Sequence, residues 1–203
     1  MLYEVRLLTV RMRFGFRCAA AAGVLLVGVG LTGCAERVDV ASTVTRGAVT
    51  EFRDPVEVES FSGTTADGDT FDSASYKGRV LVVNLWYANC PPCRREAPDL
   101  VALAEQYADD GVQFVGVNTR DTAGTAQAFE REFDLPYPSI LDAADGAVQL
   151  ALARSKATAP NATPTTLVLD GEGRVTARIL GEIPERSILE ALIDTALGDA
   201  SSP

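Results

Sequence analysis

Two cysteines three positions apart lie where a strand pattern gives way to a helix pattern. The apolar run at residues 80–86 predicts a buried strand, and a helical pattern follows Cys90 and Cys93. Residues three apart on a helix have Cβ atoms about 5–6 Å apart, and a disulfide needs about 3.5–4.5 Å. A small adjustment of the first helical turn therefore lets the two cysteines open and close a bond. This spacing at a strand-to-helix junction predicts thiol–disulfide chemistry.

The residues between the cysteines suit the first turn of a helix. Pro91 and Pro92 have a preset φ, and the N–H that proline lacks would have no partner inside the helix there. The remaining free N–H groups and the helix dipole favour the thiolate form of Cys90. Because the thiolate is the nucleophile in disulfide exchange, we expect Cys90 to be the exposed, attacking sulfur.

Two other uses of the cysteine pair are a stapling disulfide and half of a zinc site. Zinc would need two further ligands, usually Cys or His. The chain has no His, and its other cysteines, Cys18 and Cys34, belong to the N-terminal segment. We therefore expect redox chemistry, with no metal and no cofactor.

Residues 1–33 have the pattern of a secretory signal peptide. Four arginines precede an apolar stretch at 18–31, which is shorter than the roughly 20 residues that span a bilayer. Small residues then precede Cys34, an arrangement that resembles the bacterial lipobox, in which the cysteine is lipidated. The alternative is an uncleaved N-terminal anchor helix. Both place the domain outside the cytoplasm, where disulfides persist.

The charge of the chain argues against a nucleic-acid partner. The net charge is −10, and because residues 1–33 carry +3, the remainder carries −13. Such a surface repels phosphate backbones and anionic lipid head groups. Apolar residues make up 47% of the chain, enough to bury a core.

The periodicity of the chain predicts one mixed α/β domain. Residues 34–56 are polar and predict a flexible tether, residues 57–198 form the domain, and residues 199–203 form a tail. Within the domain we expect a β-hairpin, a strand, a helix and a parallel strand, then a helix and a short strand with a short helix, and finally a hairpin and a helix. The expected architecture is a central mixed sheet flanked by helices.

The segment Trp86-Tyr87-Ala88-Asn89-Cys90-Pro91-Pro92-Cys93, with Glu96, Pro98 and the later Ala162-Thr163-Pro164-Thr165, resembles the thioredoxin fold. The resemblance is to its membrane-anchored, extracytoplasmic branch, the TlpA/ResA-type thiol–disulfide oxidoreductases. It runs from about residue 57 to residue 197. It implies a thioredoxin-like fold with an N-terminal β-hairpin and an inserted helix and strand.

The resemblance also implies roles for particular residues. Cys90 would attack the substrate, and Cys93 would resolve the mixed disulfide. Pro164 would be a cis-proline facing the cysteines, and Thr163 would offer backbone groups to a bound peptide. The other residues expected beside the substrate are Trp86, Pro91 and Pro92.

One position departs from the pattern of the cytosolic thioredoxins. They carry a buried Asp six residues before the first active-site cysteine, where this chain has Asn84. A neutral amide cannot take the proton of Cys93. Glu96 is the nearest candidate acid, so we expect it to belong to the catalytic set.

The resemblance implies a disulfide reductase of exported proteins, with the haem-site cysteines of apocytochrome c as one substrate class. The implied partners are protein thiols and disulfides and a membrane electron donor, with a monomer held to the membrane through Cys34. Alternatives are an oxidase of folding proteins, a peroxiredoxin-like peroxidase and a copper carrier. The peroxidase would need a T-x-x-C context, and related copper chaperones pair C-x-x-x-C with a His, patterns that this chain lacks.

Overall fold

The computed structural model describes residues 43–46, 49–157 and 162–200, with side chains at 49–157 and 162–198. The described residues form nine strands, four α-helices and one short 3-10 helix (Ser73–Tyr76). The strands are β1 (Thr43–Arg46), β2 (Val49–Val56), β3 (Ser62–Thr64), β4 (Thr70–Asp72), β5 (Leu81–Trp86), β6 (Gln113–Asn118), β7 (Ser139–Leu141), β8 (Thr165–Leu169) and β9 (Val175–Leu180). The helices are α1 (Pro91–Gln106), α2 (Ala123–Phe133), α3 (Ala147–Arg154) and α4 (Arg186–Ala200).

A seven-stranded mixed sheet organises the domain. Its strand order is β1-β2-β9-β8-β5-β6-β7, and β3 and β4 form a separate two-stranded sheet. Strand β5 pairs parallel with β6 and antiparallel with β8, so it lies inside the sheet. All six residues of β5 are buried, as expected for a continuous apolar run covered on both faces. The predicted mixed sheet flanked by helices is confirmed.

Alternate residues of β5 face two different apolar cores. Val82 belongs to a cluster that includes residues of α1 and α4, and Val83 belongs to one that includes residues of α3 and the β3–β4 hairpin. Because side chains alternate along a strand, Asn84 and Trp86 share the face of Val82, beneath α1. The alternation of side chains along β5 thus places both residues on the face covered by the helix that begins after Cys90.

The predicted N-terminal hairpin and inserted segment are also present. Strands β3 and β4 pair antiparallel, and an isolated bridge joins Thr65 to Ile140 of β7. Strand β7 pairs parallel with β6 and lies between α2 and α3 in the chain. The hairpin therefore meets the inserted strand at one edge of the sheet.

The predicted tether is wrong for the part of it that the structure describes as strand. Residues 49–56 form β2, which pairs antiparallel with β9, and β1 pairs with β2. Only Val49 and Thr50 of β2 are buried, so the strand lacks the regular alternation that reveals a strand in sequence. Its place comes from main-chain pairing with β9. At the other end, α4 reaches Ala200, two residues beyond the predicted domain boundary.

No helix among the described residues is both long and apolar enough to cross a bilayer. The predicted signal segment, 1–33, lies outside the described residues.

We predict that removal of β1 and β2 destabilises the domain. A chain that begins at Glu57 should have a free energy of unfolding lower by on the order of 3–5 kcal/mol than one that begins at Asp39. The loss comprises the burial of Val49 against the β9 side of the sheet and the hydrogen bonds of two strand pairs, β1–β2 and β2–β9. Urea unfolding of both oxidised chains measures it, and equal stability would show that β2 is dispensable.

Candidate active site

The two cysteines form a disulfide at the start of α1. Their Cα atoms lie 5.2 Å apart. Cys90 is the N-cap residue, with extended backbone angles, and its sulfur accepts a hydrogen bond from the backbone N–H of Cys93 at 3.2 Å. Pro91 and Pro92 occupy the first two helical positions, as predicted. The helix start therefore directs one free N–H at the first sulfur.

Neither cysteine is exposed in the disulfide form, and the expected exposure of the Cys90 thiol in the reduced protein stays a prediction. Cys90 is 1% exposed and Cys93 is 2% exposed. Both belong to a small apolar cluster with Trp86, Ala88 and residues of α1 and α2. Sequence reasoning assigned exposure from position at the helix start, and it could not include the side chains that pack over the sulfur.

The peptide bond between Thr163 and Pro164 is cis, as predicted from the resemblance. Strand β8 follows directly, and its Thr165 is paired with Leu85 of β5. The same antiparallel register carries Pro164 to the position beside Trp86. The cis-proline therefore lies at the end of the sheet where β5 leads into the cysteine loop.

Glu96 is the most deeply buried acid of the site, at 2% exposure. Its Oε1 accepts a hydrogen bond from Asn84 Nδ2 at 2.8 Å, and its Oε2 accepts one from the backbone N–H of Ile183 at 3.1 Å. Asn84 Nδ2 also contacts Thr166 Oγ1 at 3.1 Å. Burial raises the pKa of Glu96 to about 7, although both hydrogen bonds oppose the shift. A carboxyl group with such a pKa can accept and release a proton near neutrality.

Cys93 and Asn84 line the same small internal cavity. Asn84 holds the carboxylate of Glu96, and Glu96 follows Cys93 by three positions, on the same side of α1. The amide at position 84 is thus a hydrogen-bond donor to an acid supplied by the helix, and the strand itself supplies no acid. Sequence reasoning identified both residues but could not place the bond between them.

Trp86 is fixed by contacts on two sides. Its ring centroid lies 4.2 Å from that of Phe129 on α2, and its Nε1–H donates to Ser139 Oγ at 3.3 Å. A Cβ at Gly116 would collide with both of these polar atoms. Gly116 is therefore required for Trp86 to reach Ser139. A glycine within a strand is unfavourable, and this position is the feature of the sequence that could have indicated a close contact at Gly116.

Asp121 is a second residue whose role the sequence did not reveal. Its Oδ2 accepts hydrogen bonds from the backbone N–H of Ala88 at 2.6 Å and from Asn118 Nδ2 at 2.8 Å. Thr122 is the N-cap residue of α2 and makes no side-chain capping bond. Asp121 thus ties the loop before Cys90 to the end of β6.

The two arginines after Cys93 are paired with acids. Arg94 forms an ion pair with Glu132, and its guanidinium carbon lies 4.9 Å from the ring centroid of Phe133. Arg95 donates from Nε to Glu182 Oε1 at 2.9 Å. Pairing neutralises the field of both cations, so neither contributes a free positive charge to the cysteine pair.

The structure brings most of the predicted site residues to one end of the sheet. They are Trp86, Cys90, Pro91, Pro92, Cys93, Glu96, Thr163 and Pro164. Cys34 lies outside the described residues, and its lipidation stays a prediction.

Comparison with known proteins places this geometry in a family. The family model described as Redoxin matches residues 48–193. The thiol:disulfide interchange protein HelX of Rhodobacter capsulatus is 33% identical over 135 residues, covering 66% of this chain and 71% of the relative. The thiol-disulfide oxidoreductase ResA of Bacillus cereus is 25% identical over 136 residues, covering 67% and 75%. A crystal structure of a thioredoxin-family thiol:disulfide interchange protein from Chlorobium tepidum has a TM-score of 0.64 at 31% identity, covering 71% of this chain and 97% of that one.

We predict that Glu96 makes the stability of the oxidised protein depend on pH. Its pKa of about 7 in the folded state is above the ordinary value of 4.5. Between these values the folded state keeps a proton that the unfolded state has lost, so the free energy of unfolding falls as pH rises. The fall should be on the order of 3 kcal/mol, at about 1.4 kcal/mol per pH unit.

The variant Glu96→Gln should lose this pH dependence. Its amide places an NH₂ against one of the two donors, Asn84 or Ile183, which costs about 1 kcal/mol at every pH. Urea unfolding of oxidised wild type and variant from pH 4.5 to pH 8 compares the slopes. Parallel curves would show that Glu96 has an ordinary pKa.

Proposed function

The chain belongs to the Redoxin family, and we propose that it is an extracytoplasmic thiol–disulfide oxidoreductase that reduces disulfides in exported proteins. The observation that carries the proposal is the Cys90–Cys93 disulfide at the N-terminus of α1, with the buried carboxyl of Glu96 one turn further on. The names of HelX and ResA describe the same chemistry in relatives. The resemblance to ResA-type proteins is confirmed.

In the first step the Cys90 thiolate attacks one sulfur of a substrate disulfide. A bond forms between Cys90 and that sulfur, the substrate S–S bond breaks, and the other substrate sulfur leaves as a thiolate. The N–H of Cys93 stabilises the attacking thiolate. We assign the surface beside Trp86 and the cis-proline Pro164, with Pro91, Pro92 and Thr163, to the bound substrate segment, because the β5–β8 register places both strands' ends there.

In the second step Cys93 attacks the sulfur of Cys90. Its thiol first gives its proton to the carboxylate of Glu96, and the new Cys90–Cys93 bond releases the second substrate thiolate. The substrate has gained two electrons, and the protein is left as the disulfide seen in the structure. A dithiol donor in the membrane then returns the two electrons and completes the cycle.

The electrostatics of the site support the reducing direction. Strong oxidants have a first cysteine of very low pKa, which stabilises their reduced form. Here Pro91 and Pro92 offer no N–H to the sulfur, and Arg94 and Arg95 are paired with acids. The groups that stabilise the Cys90 thiolate are the N-terminus of α1 and the backbone N–H of Cys93.

The N-terminal sequence and the names of the relatives support an extracytoplasmic location. A secreted Mycobacterium tuberculosis oxidoreductase described as homologous to DsbE is 28% identical to this chain, with a TM-score of 0.55. We propose that Cys34 carries a lipid that holds a monomeric domain at the outer face of the cytoplasmic membrane. Candidate substrates there include the haem-site cysteines of apocytochrome c.

We predict that the Cys90–Cys93 pair has a reduction potential nearer roughly −270 mV than −120 mV. The reason is the limited stabilisation of the Cys90 thiolate. Equilibration with dithiothreitol buffers, followed through the fluorescence of Trp86, the chain's single tryptophan, measures the potential. A value near −120 mV would make the protein an oxidase of folding proteins.

A trapping experiment tests the same proposal at the level of substrates. Cys93→Ser should accumulate mixed disulfides with exported proteins through Cys90, because the resolving thiol is absent. The matched control, Cys90→Ser, retains the buried Cys93 and should trap none. Equal trapping by both variants would contradict the roles assigned to Cys90 and Cys93.

We also predict that the mature chain begins at a lipidated Cys34. Mass spectrometry of the protein purified from its membrane should show a diacylglyceryl group on that residue. The variant Cys34→Ala should either be released from the membrane or fail to mature. A mature chain that still begins at Met1 or Met12 would contradict the anchor.

A further inference from the structure

The proposed second step leaves a proton on a group without direct access to solvent. Cys93 and Glu96 are each 2% exposed, and the two oxygens of Glu96 face Asn84 and the N–H of Ile183. For Glu96 to titrate, a proton must pass between this carboxyl group and water. A buried acid therefore needs a polar path to the surface.

A cavity of about 10 Å³ begins such a path. That is about the room that one water molecule needs. Its polar lining consists of Asn84, Cys93 and Tyr137, and the other lining residues are Trp86, Ala97, Leu100, Phe129 and Leu135.

Tyr137 also lines a second, larger cavity. This outer cavity has a volume of about 590 Å³, and its lining includes Glu130, Arg131 and Asp134 as well as Tyr137. Tyr137 itself is 7% exposed. It is the one residue that the linings of the inner and outer cavities share apart from Leu135, which has no polar side chain.

Glu130 lies at the wall of the outer cavity. Its Oε1 is buried and has no hydrogen-bond partner among the described residues. Burial raises the pKa of Glu130, and hydrogen bonding from Ser139 opposes the shift. Burial also raises the pKa of Tyr137, and the charges of Glu96 and Glu130 add to it, so both carboxylates act on the same phenol.

We propose that Tyr137 and Glu130 form a proton route between the Glu96–Cys93 pair and the outer cavity. This inference rests on the proposed function, because it supplies the proton step of Cys93. The proton that Glu96 takes from Cys93 passes to the phenol oxygen of Tyr137, directly or through one water in the inner cavity. The phenol gives its own proton to the Glu130 carboxylate, and Glu130 releases it to solvent.

Other charged groups face the route and set its electrostatics. Glu182 raises the pKa of Glu96 and is itself paired with Arg95. Asp67 raises the pKa of Glu130, and Arg131 lowers it. The route therefore runs between acids, an arrangement that favours passage of a positive charge.

The most direct test measures proton exchange at Glu96 in the oxidised protein, without substrate. Relaxation dispersion of the Glu96 side-chain carboxyl carbon near pH 7 gives the exchange rate. Tyr137→Phe and Glu130→Gln keep the shape of each side chain, and each should slow exchange about tenfold. The matched control is Asp134→Asn, which removes a carboxylate from the same cavity wall and leaves an αL position that Asn accepts, so exchange should not change.

Rescue by a small buffer separates a proton route from a structural effect. Imidazole should restore the exchange rate of Glu130→Gln in proportion to its concentration, because it can carry protons from the outer cavity. Wild-type exchange rates in both variants would overturn the proposal. Slowed exchange that imidazole does not restore, or equal slowing in Asp134→Asn, would overturn it as well.

A single-turnover experiment then connects the route to the reaction. Reduced protein is mixed with excess peptide disulfide, and the fluorescence of Trp86 reports both steps. At pH 6, where most Glu96 starts protonated and must release its proton before it can accept that of Cys93, the two variants should attack the peptide at the wild-type rate and resolve the mixed disulfide about tenfold more slowly. Failure of the wild type to react would contradict the proposed function alone, since the exchange measurement needs no substrate. An unchanged resolution rate in variants with slow exchange would exclude the route from the reaction.

Discussion

The hydrogen bond from Asn84 to Glu96 connects the fold of this protein to its chemistry. Asn84 lies on a strand buried on both faces, and Glu96 lies one turn beyond Cys93 on the following helix. The bond joins these elements on the face where α1 covers the sheet. It also keeps Glu96 in the apolar interior, and burial there raises the pKa of Glu96 to about 7. The same interaction therefore positions the helix and holds the acid that we propose as the proton acceptor.

The remaining contacts of the site fix the position of the loop that leads to Cys90. Asp121 holds the backbone at Ala88, and Ser139 with Phe129 holds the ring of Trp86. Helix α2 supplies Phe129 and the inserted strand β7 supplies Ser139, so both elements support the site. Pairing of the arginines with acids on α2 and before α4 removes two cations from the cysteines, which fits a reducing pair better than an oxidising one.

The sequence predicted the parts of this structure that depend on local pattern. The buried run of β5, the prolines at the start of α1 and the hairpin β8–β9 each have a strong signature, and the resemblance added the cis bond before Pro164. Strand β2 was missed because it is held by main-chain pairing and shows little apolar alternation. The burial of Cys90 and the contacts of Gly116 and Asp121 depend on residues distant in the chain, and no local pattern contains them.

The central claim is that Glu96 is the proton acceptor of Cys93, in place of a carboxylate on the strand. A titration of its side-chain carboxyl carbon by NMR, in oxidised and in reduced protein, tests this most directly. The account predicts a pKa near 7 in the oxidised protein and a further change on reduction, because the free thiol of Cys93 then titrates beside it. A pKa near 4.5 that is the same in both redox states would contradict it.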